Sequence, residues 1–501
     1  MARVPALLVK QWLPAWDSFS YSVDARQRKP EAYFYMASVP AGLLRRLAGF
    51  RRRKATGPRA LDIGIQRAHD EDRSSEIARF IEAGHPWASL NTRDQERFPD
   101  LRKPGWLPTA IIANLVTKRT RRSGQRPDDR DLITVRKVDP DRVDLVLPSG
   151  SDKSDWAPKG KLYPIEIIDG QHRLLAVQGK TAEAFELPVV FFLDLDISWQ
   201  AYLFWTINIT PKRISPSFAY DLFPLLRTED WLQKIEGPRT YRETRAQELT
   251  EVLWSHRDSP WKGRIAMLGR EKGKVTQAAW VRSLTVSFVR QWETGRSGPG
   301  GLFGVELPDP NFPEQFLWSR TQQAAYLLKV WTDVANAIAQ SEESWVRDVR
   351  AKSEDYEHEL DAGFAGPYSL LNTEQGVRGV LHVANDISFA LAGPLSLAKW
   401  QHERATDPID LDEVTRVLRD LRRQRTISEF TKRLARQVAK FDWRTASTPG
   451  LLEDVRNQQA LYRAGTGYRE VRRHLLRLLS RCTDRQIAST AQSVIADLGY
   501  E

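Results

Sequence analysis

Hydrophobic runs that end in turn residues dominate the N-terminal part of the chain, and such runs are typical of strands. They predict single strands over 107–115, 163–168 and 187–193, and a hairpin whose strands, 133–138 and 143–147, flank Asp139-Pro140-Asp141. A turn is expected at Asp169-Gly170, then a short helix that Gln171 opens and that runs through Val177, followed by a turn at Gly179. Strand, turn, helix and strand in this order indicate an α/β core.

The next part of the chain has a mixed pattern. Residues 198–226 are expected to form a helix, a loop and a helix, because Pro211 and Pro216 interrupt the pattern. The glycine-rich segment 295–304 is expected to be a mobile loop or a boundary, and an acidic helix is expected around 342–359. Four tryptophans without regular spacing are interpreted as core anchors, namely Trp231, Trp254, Trp261 and Trp280.

Hydrophobic residues recur at helical spacing in the C-terminal part. They form one stripe of Val414, Val417, Leu418 and Leu421, and a second of Ile427, Phe430, Leu434 and Val438. Thr426 and Glu429 have the spacing of a capping box, so the second of these helices is expected to begin there. A third helix is expected after Gly467, with a buried face of Val471, Leu475, Leu478 and Leu479.

The order of these elements predicts three regions. An α/β core is expected over 1–225, a mixed tryptophan-rich region over 226–340, and a helical, basic region over 341–501. At 501 residues and 57.4 kDa the chain is long enough for two or three compact units.

Composition narrows the class of protein. Hydrophobic residues make up 41% and charged residues 28%, which are globular proportions. The single cysteine, Cys482, argues against a disulfide framework and against Cys-rich zinc or iron–sulfur sites. A secretory pattern is not evident in residues 1–16, and no apolar run is long enough to span a membrane, so a cytoplasmic location is expected.

The basic excess is local. The chain carries 75 Lys and Arg against 64 Asp and Glu, a formal net charge of +11. Residues 416–481 alone hold 17 Lys and Arg against 6 Asp and Glu, so this helical segment accounts for the whole excess. The pattern indicates either a DNA-binding surface or an ordinary solvated arginine-rich face. The candidate DNA-binding residues are Arg422, Arg423, Arg433, Arg436, Arg472, Arg473 and Arg477.

The most informative motif is the run from Ile167 to Leu174, where an apolar strand meets Asp169-Gly170 and then Gln171-His172-Arg173. A helix start offers unpaired backbone N–H groups to an anion, and Gly170 would let the backbone approach it closely. Arg173 could hold a phosphate through two parallel hydrogen bonds, and Asp169 could cap the helix or hold a divalent cation. The alternative is a capped turn with a solvent-facing basic pair.

Residues 169–173 spell DGQHR, and the segment resembles the signature of the DGQHR-domain family. That family includes the DndB-like proteins of DNA phosphorothioation clusters, and its core is similar to the ParB/sulfiredoxin superfamily. The segment also resembles the DGQQR motif of GmrSD-type restriction NTPases. The stretches 64–67, 207–215 and 259–265 fit the same resemblance, which covers about residues 30–290.

The resemblance implies an α/β (α+β) ParB/sulfiredoxin-like core, followed here by the mainly helical C-terminal region. It implies one nucleotide- or phosphate-binding pocket formed by Gln66, Arg67, Gly170, Gln171, Arg173, Asn208 and Lys212. The catalytic candidates are Asp169, His172 and Arg173. The implied cofactor is ATP or another NTP with Mg²⁺, and no resident metal site is expected.

Other catalytic motifs are not evident. Residues 269–274 are one residue short of a P-loop and are followed by Val275, and neither HExxH nor an HNH-type nuclease pattern is found. The C-terminal region is therefore interpreted as a binding module.

Three functions remain open. We expect a DNA-associated accessory or regulatory protein of a bacterial DNA-modification or defence system, which binds nucleotide or phosphate at the motif and DNA through its basic helices. The alternatives are an NTP-hydrolysing enzyme that supports DNA modification or restriction, and a scaffold whose basic surface meets an acidic protein. Other DNA-modification or defence proteins are expected partners, and the sequence leaves homo-oligomerisation open.

Overall fold

The computed structural model describes residues 2–22, 28–50, 70–122, 124–179, 181–209, 214–226, 231–232, 237–269, 271, 274–291, 298–304, 318–353, 356, 359–400, 402 and 409–500. The chain divides into two compact units, unit 1 (residues 1–213) and unit 2 (residues 214–501). Together they have a mixed α/β composition. None of the helices in the described part has the length and apolar character needed to cross a bilayer.

Unit 1 is built on one eight-stranded mixed sheet. Its strands are β1 (Arg3–Lys10), β2 (Tyr33–Pro40), β3 (Ala48–Gly49), β4 (Ile111–Leu115), β5 (Thr134–Lys137), β6 (Arg142–Val146), β7 (Ile165–Asp169) and β8 (Glu186–Leu193). Their order across the sheet is β3-β7-β4-β8-β2-β1-β6-β5. β4 pairs in antiparallel fashion with β7 and in parallel with β8, so β7 lies near one edge.

Helices border this sheet. They are α1 (Ala41–Leu47), α2 (Glu71–Ala83), α3 (Thr92–Arg97), α4 (Gln171–Ala176), α5 (Thr181–Ala184) and α6 (Ile197–Ile209). The core of unit 1 lies on one sheet face and includes Val4, Tyr35, Ile111, Ile165 and Val189. The predicted order of strands, hairpin and helix is confirmed by β4, the β5–β6 hairpin, β7, α4 and β8. Several of these elements are shorter at their ends than the segments expected from the sequence.

Two central strands were not predicted from the sequence. β1 and β2 pair with each other and join the β6 side of the sheet to β8. β1 contains Pro5, which cannot donate to a ladder and so obscures the strand pattern. Val4 and Ala6, on either side of it, are buried in the core.

Unit 2 is mainly helical. Its helices are α7 (Pro216–Asp221), α8 (Phe223–Leu226), α9 (Arg239–Ser255), α10 (Gln277–Thr285), α11 (Arg320–Ala339), α12 (Ser344–Ala351), α13 (Ala362–Ala365), α14 (Glu374–Ala390), α15 (Leu411–Arg423), α16 (Arg425–Val438), α17 (Glu453–Leu461), α18 (Gly467–Leu479) and α19 (Arg485–Leu498). Two short strands, β9 (Ile265–Ala266) and β10 (Val275–Thr276), pair in parallel. Pro216 is the first residue of α7, where proline is tolerated.

One hydrophobic core runs through unit 2, from Ala246 on α9 to Val494 on α19. Trp231, Trp261 and Trp280 are buried, as predicted for core anchors, whereas Trp254 is 38% exposed and is not one. The predicted regions 226–340 and 341–501 both contribute to this core. The three-region division itself stays a prediction.

The predicted apolar stripes of α15 and α16 are confirmed as buried faces. Val471, Leu475 and Leu479 of α18 are also buried, but Leu476 takes the buried position expected for Leu478, which is only partly covered. The capping-box prediction was wrong. α16 begins at Arg425, Gln424 is its N-cap, and no side chain caps it.

The glycine-rich segment is described only in part. Its described part, 298–304, carries Leu302 and Phe303 into the core of unit 2. The backbone N–H of Leu302 donates to Asn385 Oδ1 at 2.8 Å, and that of Phe303 donates to the carbonyl of Phe288 at 2.8 Å. Gly301 and Gly304 permit close packing on the backbone of Arg290. Residues 295–297 lie outside the described residues.

Candidate functional site

The DGQHR motif begins at the end of β7, where the strand contains a β-bulge. Ala113 of β4 pairs with Ile167, but the adjacent Ile112 pairs with Asp169, so Ile168 is an extra residue. Asn114 pairs with Glu166, and side chains of paired residues point to the same face of a sheet. The bulge therefore places Asp169 on the same face as Glu166, the face opposite the core residues Ile165 and Ile167.

Asp169 is held by two neighbours. Its Oδ2 accepts a hydrogen bond from Arg173 Nη2 at 2.8 Å, and its Oδ1 accepts one from Asn208 Nδ2 at 3.2 Å. The predicted helix cap is not formed, because the N-cap of α4 is Gly170 and no side chain bonds to the helix start. Both carboxylate oxygens are thus engaged within the site.

Arg173 faces inward. Its Nη1 donates to the backbone carbonyls of Thr109 at 2.5 Å and Ala110 at 3.1 Å, while Nη2 pairs with Asp169. The side chains of Arg173 and Asp169 are each only 17% exposed. Three of the five guanidinium hydrogens are therefore engaged, and they tie the motif to the chain that enters β4.

Gly170 makes the turn between β7 and α4. Its backbone has φ +93°, a left-handed conformation that L side chains rarely adopt. A Cβ at this position would lie 3.1 Å from Arg173 Nη2 and 3.1 Å from Ile111 Cγ1. The turn therefore needs glycine for its conformation and for the close packing of Arg173.

His172 contacts the N-terminus of α2. The backbone N–H of Asp70 donates to His172 Nε2 at 3.3 Å. Asp70 also caps α2, through a bond from Arg73 N to its Oδ1 at 3.1 Å. Since α2 packs against α4, this contact places the first turn of α2 beside the motif.

These residues surround a cavity of about 590 Å³. Its wall contains Asp169, Gly170, Gln171, His172, Arg173 and Asn208, together with Arg73, Ile77, Leu107, Ile168 and Phe204. Arg73 is an exposed cation that forms no ion pair with any residue in the described ranges. It was not singled out from the sequence, because only its position on the first turn of α2 brings it to the motif.

The structure therefore brings six predicted site residues to one cavity. Asp169 through Arg173 come from one turn and Asn208 from the end of α6. Gln66, Arg67 and Lys212 lie outside the described residues. Their membership of the site stays a prediction.

A buried polar network next to the site was missed. Glu166 is 5% exposed and accepts hydrogen bonds from Arg122 Nη2 at 2.8 Å, Asn114 Nδ2 at 3.0 Å and Gln200 Nε2 at 3.0 Å. Gln200 and Asn208 both belong to α6, so this helix is bonded to β7 at each end of the strand. Glu166 is the one polar residue of an otherwise apolar strand run, and this was the available signal.

The cavity suits phosphate groups better than a protein-held metal. Arg73 supplies a cationic donor, His172 also lies on the wall, and Asp169 is the one carboxylate among the described lining residues. Mg²⁺ commonly binds through one or two carboxylates together with nucleotide phosphates and water. These residues thus fit an NTP whose own phosphates hold most of the metal. A bound NTP with Mg²⁺ would supply a polarised phosphoanhydride at this wall.

The candidate DNA-binding arginines of unit 2 are in three different situations. Arg472 is buried, and its guanidinium pairs with Asp386 at 2.7 Å, so it belongs to the interior. Four others are engaged at the surface: Arg422 with Asp258, Arg433 with Asp484, Arg473 with Glu470, and Arg477 with the Tyr500 carbonyl. Arg423 and Arg436 are exposed and form no ion pair within the described part of the chain.

Arg472 lies beside a buried histidine. His382 on α14 is 6% exposed and stacks on Tyr468 of α18 with ring centroids 5.7 Å apart. Burial, followed by the nearby charges of Arg472, Arg378 and Arg290, holds the pKa of His382 well below its usual value. The imidazole is therefore neutral in the folded protein at physiological pH.

Comparison of the chain with models of protein families, with curated proteins and with solved structures finds no match.

Proposed function

We propose that this chain is a DNA-associated accessory or regulatory protein of a bacterial DNA-modification or defence system, and that the cavity at DGQHR binds a nucleotide. We also propose that it belongs to the DGQHR-domain family and that unit 1 has a ParB/sulfiredoxin-like core. The mixed sheet with the motif at the end of one strand is compatible with both.

The observation that carries the proposal is the composition of the cavity wall. Arg73 offers an exposed cationic donor, whereas Ile77, Leu107 and Phe204 add an apolar surface. A nucleotide combines an anionic phosphate chain with a base and a sugar that present apolar faces. The volume of about 590 Å³ is within the usual range for small-molecule sites.

Binding without turnover is the better-supported version. Each oxygen of Asp169 already accepts one hydrogen bond, from Arg173 and from Asn208, so this carboxylate is engaged in holding the motif together. The NTP-hydrolysing alternative rests on the same carboxylate facing the cavity.

Nucleotide affinity tests the proposal. We expect calorimetry of the full chain to detect ATP, ADP or GTP, and Arg73→Gln to weaken binding by about tenfold through loss of one charge-assisted contact. Arg79→Gln is the matched control, because Arg79 is exposed on the same helix but does not line the cavity. Nucleotide binding that is absent, or that is equal in both variants, would contradict the proposal.

Phosphate release separates binding from hydrolysis. We expect the wild-type chain with ATP and Mg²⁺ to release phosphate no faster than Asp169→Ala and Arg173→Ala. Release that is clearly faster in the wild type would favour the NTP-hydrolysing enzyme.

A further inference from the structure

The basic residues behind the net charge of +11 in residues 416–481 are not all equally available to a partner. On α18, Arg472 is buried against Asp386, Arg473 pairs with Glu470, and Arg477 donates to the Tyr500 carbonyl at 3.2 Å. A charge that already has a carboxylate partner gains less from a phosphate and must break a contact to reach it. Three of the four arginines on this helix are therefore engaged, which leaves Arg469 as its one exposed arginine without an ion pair in the described ranges.

Helices α15 and α16 are different. Both pack their apolar faces on α11, and only Gln424 separates them along the chain. On α15, Arg416, Arg419 and Arg423 are exposed and form no ion pair with a residue in the described ranges. Their spacing of three and four residues keeps them on one stripe, about 10 Å long at 1.5 Å per residue.

The neighbouring helix extends this charge. Arg425 and Arg436 of α16, and Lys440 just beyond it, are exposed and likewise lack an ion pair among the residues that the structure describes. The two carboxylates between Arg416 and Lys440 in the sequence are engaged, because Glu429 pairs with Lys432 at 3.0 Å and Asp420 accepts from Trp400 Nε1 at 2.9 Å. We call Arg416, Arg419, Arg423, Arg425, Arg436 and Lys440 the basic ridge.

We propose that the basic ridge binds the phosphate backbone of double-stranded DNA, without reading its sequence. This inference rests on the proposed association with DNA and names the surface responsible. Five of the six ridge residues are arginines, whose planar guanidinium can bond two phosphate oxygens at once. All six are exposed at the surface, so contact with phosphate does not require burying a lone charge.

Salt dependence gives a quantitative test, because each neutralised phosphate releases counterions. For duplex DNA the slope of log affinity against log salt is about −0.9 per contact. We expect fluorescence anisotropy with a 20-base-pair duplex of mixed sequence to show a steep slope for the full chain. Arg416→Gln/Arg419→Gln/Arg423→Gln should make that slope shallower by about 2.7, provided that each residue makes one contact.

A matched triple variant controls for total charge. Arg456, Arg463 and Arg481 are also exposed in unit 2 and lie outside the ridge. Arg456→Gln/Arg463→Gln/Arg481→Gln removes the same formal charge, and we expect it to keep nearly the wild-type slope. Thermal melts followed by circular dichroism show whether both triple variants remain folded.

Three results would contradict DNA binding by the basic ridge. They are no DNA binding at 50 mM salt, an equal loss of slope in the two triple variants, and displacement of DNA by polyglutamate at matched charge. The last would favour an acidic protein partner. Calorimetry with ATP on the same proteins keeps the two proposals apart. If the ridge triple variant still binds nucleotide and its DNA binding is unchanged, the proposal for the basic ridge is rejected and the proposal for nucleotide binding is not.

Discussion

The amide of Asn208 donates to the carboxylate of Asp169 at 3.2 Å, which joins the end of α6 to the end of β7. Eight residues earlier on the same helix, Gln200 donates to Glu166 at the start of β7. Two helical turns and a bulged strand of similar length therefore run side by side. The orientation of the motif depends on this pair of contacts.

Asp169→Ala should lower the free energy of unfolding by about 1–3 kcal/mol, since it leaves the partly buried Arg173 without its carboxylate. Asn208→Ala should cost about 1 kcal/mol, because it removes one amide hydrogen bond to the same oxygen pair. Urea denaturation of the full chain measures both. Equal losses in the two variants would show that Arg173 does not depend on Asp169.

Gly170→Ala should destabilise the protein more than Gly179→Ala does. Both glycines have positive φ, +93° and +59°, so both substitutions carry a backbone penalty of about 1 kcal/mol. Only at Gly170 would the new Cβ press on Arg173 and Ile111, whereas nothing lies within 4 Å at Gly179. The difference in unfolding free energy isolates this packing, and a zero difference would contradict it.

Arg472→Met should cost about 3–5 kcal/mol, because it leaves Asp386 buried without its partner. Arg472→Met/Asp386→Leu should recover much of that loss, since both charges are then gone. Chemical denaturation of the wild type and the two variants provides the comparison. A double variant no more stable than the single one would show that the pair matters for more than charge balance.

Stability should fall in mild acid, in part because of His382. The unfolded chain protonates this imidazole near its usual pKa of 6.5, while burial keeps the pKa lower in the folded protein. Protonation therefore favours unfolding below about pH 6.5. The free energy of unfolding falls by up to about 1.4 kcal/mol per pH unit until the pH reaches the folded-state pKa. His382→Gln should make the loss between pH 7 and pH 5 smaller.

His256 and His474 also have pKa values lowered by burial, so they contribute in the same direction in both proteins. The quantity to compare is the slope of unfolding free energy against pH for the wild type and His382→Gln. Parallel slopes would mean that His382 takes up protons equally in the folded and unfolded states, which would contradict its lowered pKa.

The parts of the fold that were predictable depend on local patterns. The strand before the motif, the β5–β6 hairpin and the buried faces of α15 and α16 each follow from residues close together in sequence. β1 was not predicted, because Pro5 interrupts an alternation that long-range pairing with β2 and β6 stabilises. Local propensity carried no information on that pairing.

The candidate site shows the same limit. Membership of the motif residues and Asn208 in one cavity agrees with the sequence-based grouping, but the inward position of Arg173 depends on carbonyls 63 and 64 residues away. Arg472 was predicted to face solvent, yet its partner Asp386 lies 86 residues away on another helix. The charge pattern of a sequence identifies cationic residues but does not reveal which of them pair with a carboxylate in the folded protein.

The bulge at Ile168 has a consequence for identifying related sites. In a regular strand, two residues share a face only when their residue numbers differ by an even number. The numbers of Glu166 and Asp169 differ by three. The spacing between the buried glutamate and the motif aspartate is therefore itself a signal. Chains that carry DGQHR at odd spacing should contain the extra residue, and chains with even spacing should reach the same geometry with an unbroken strand.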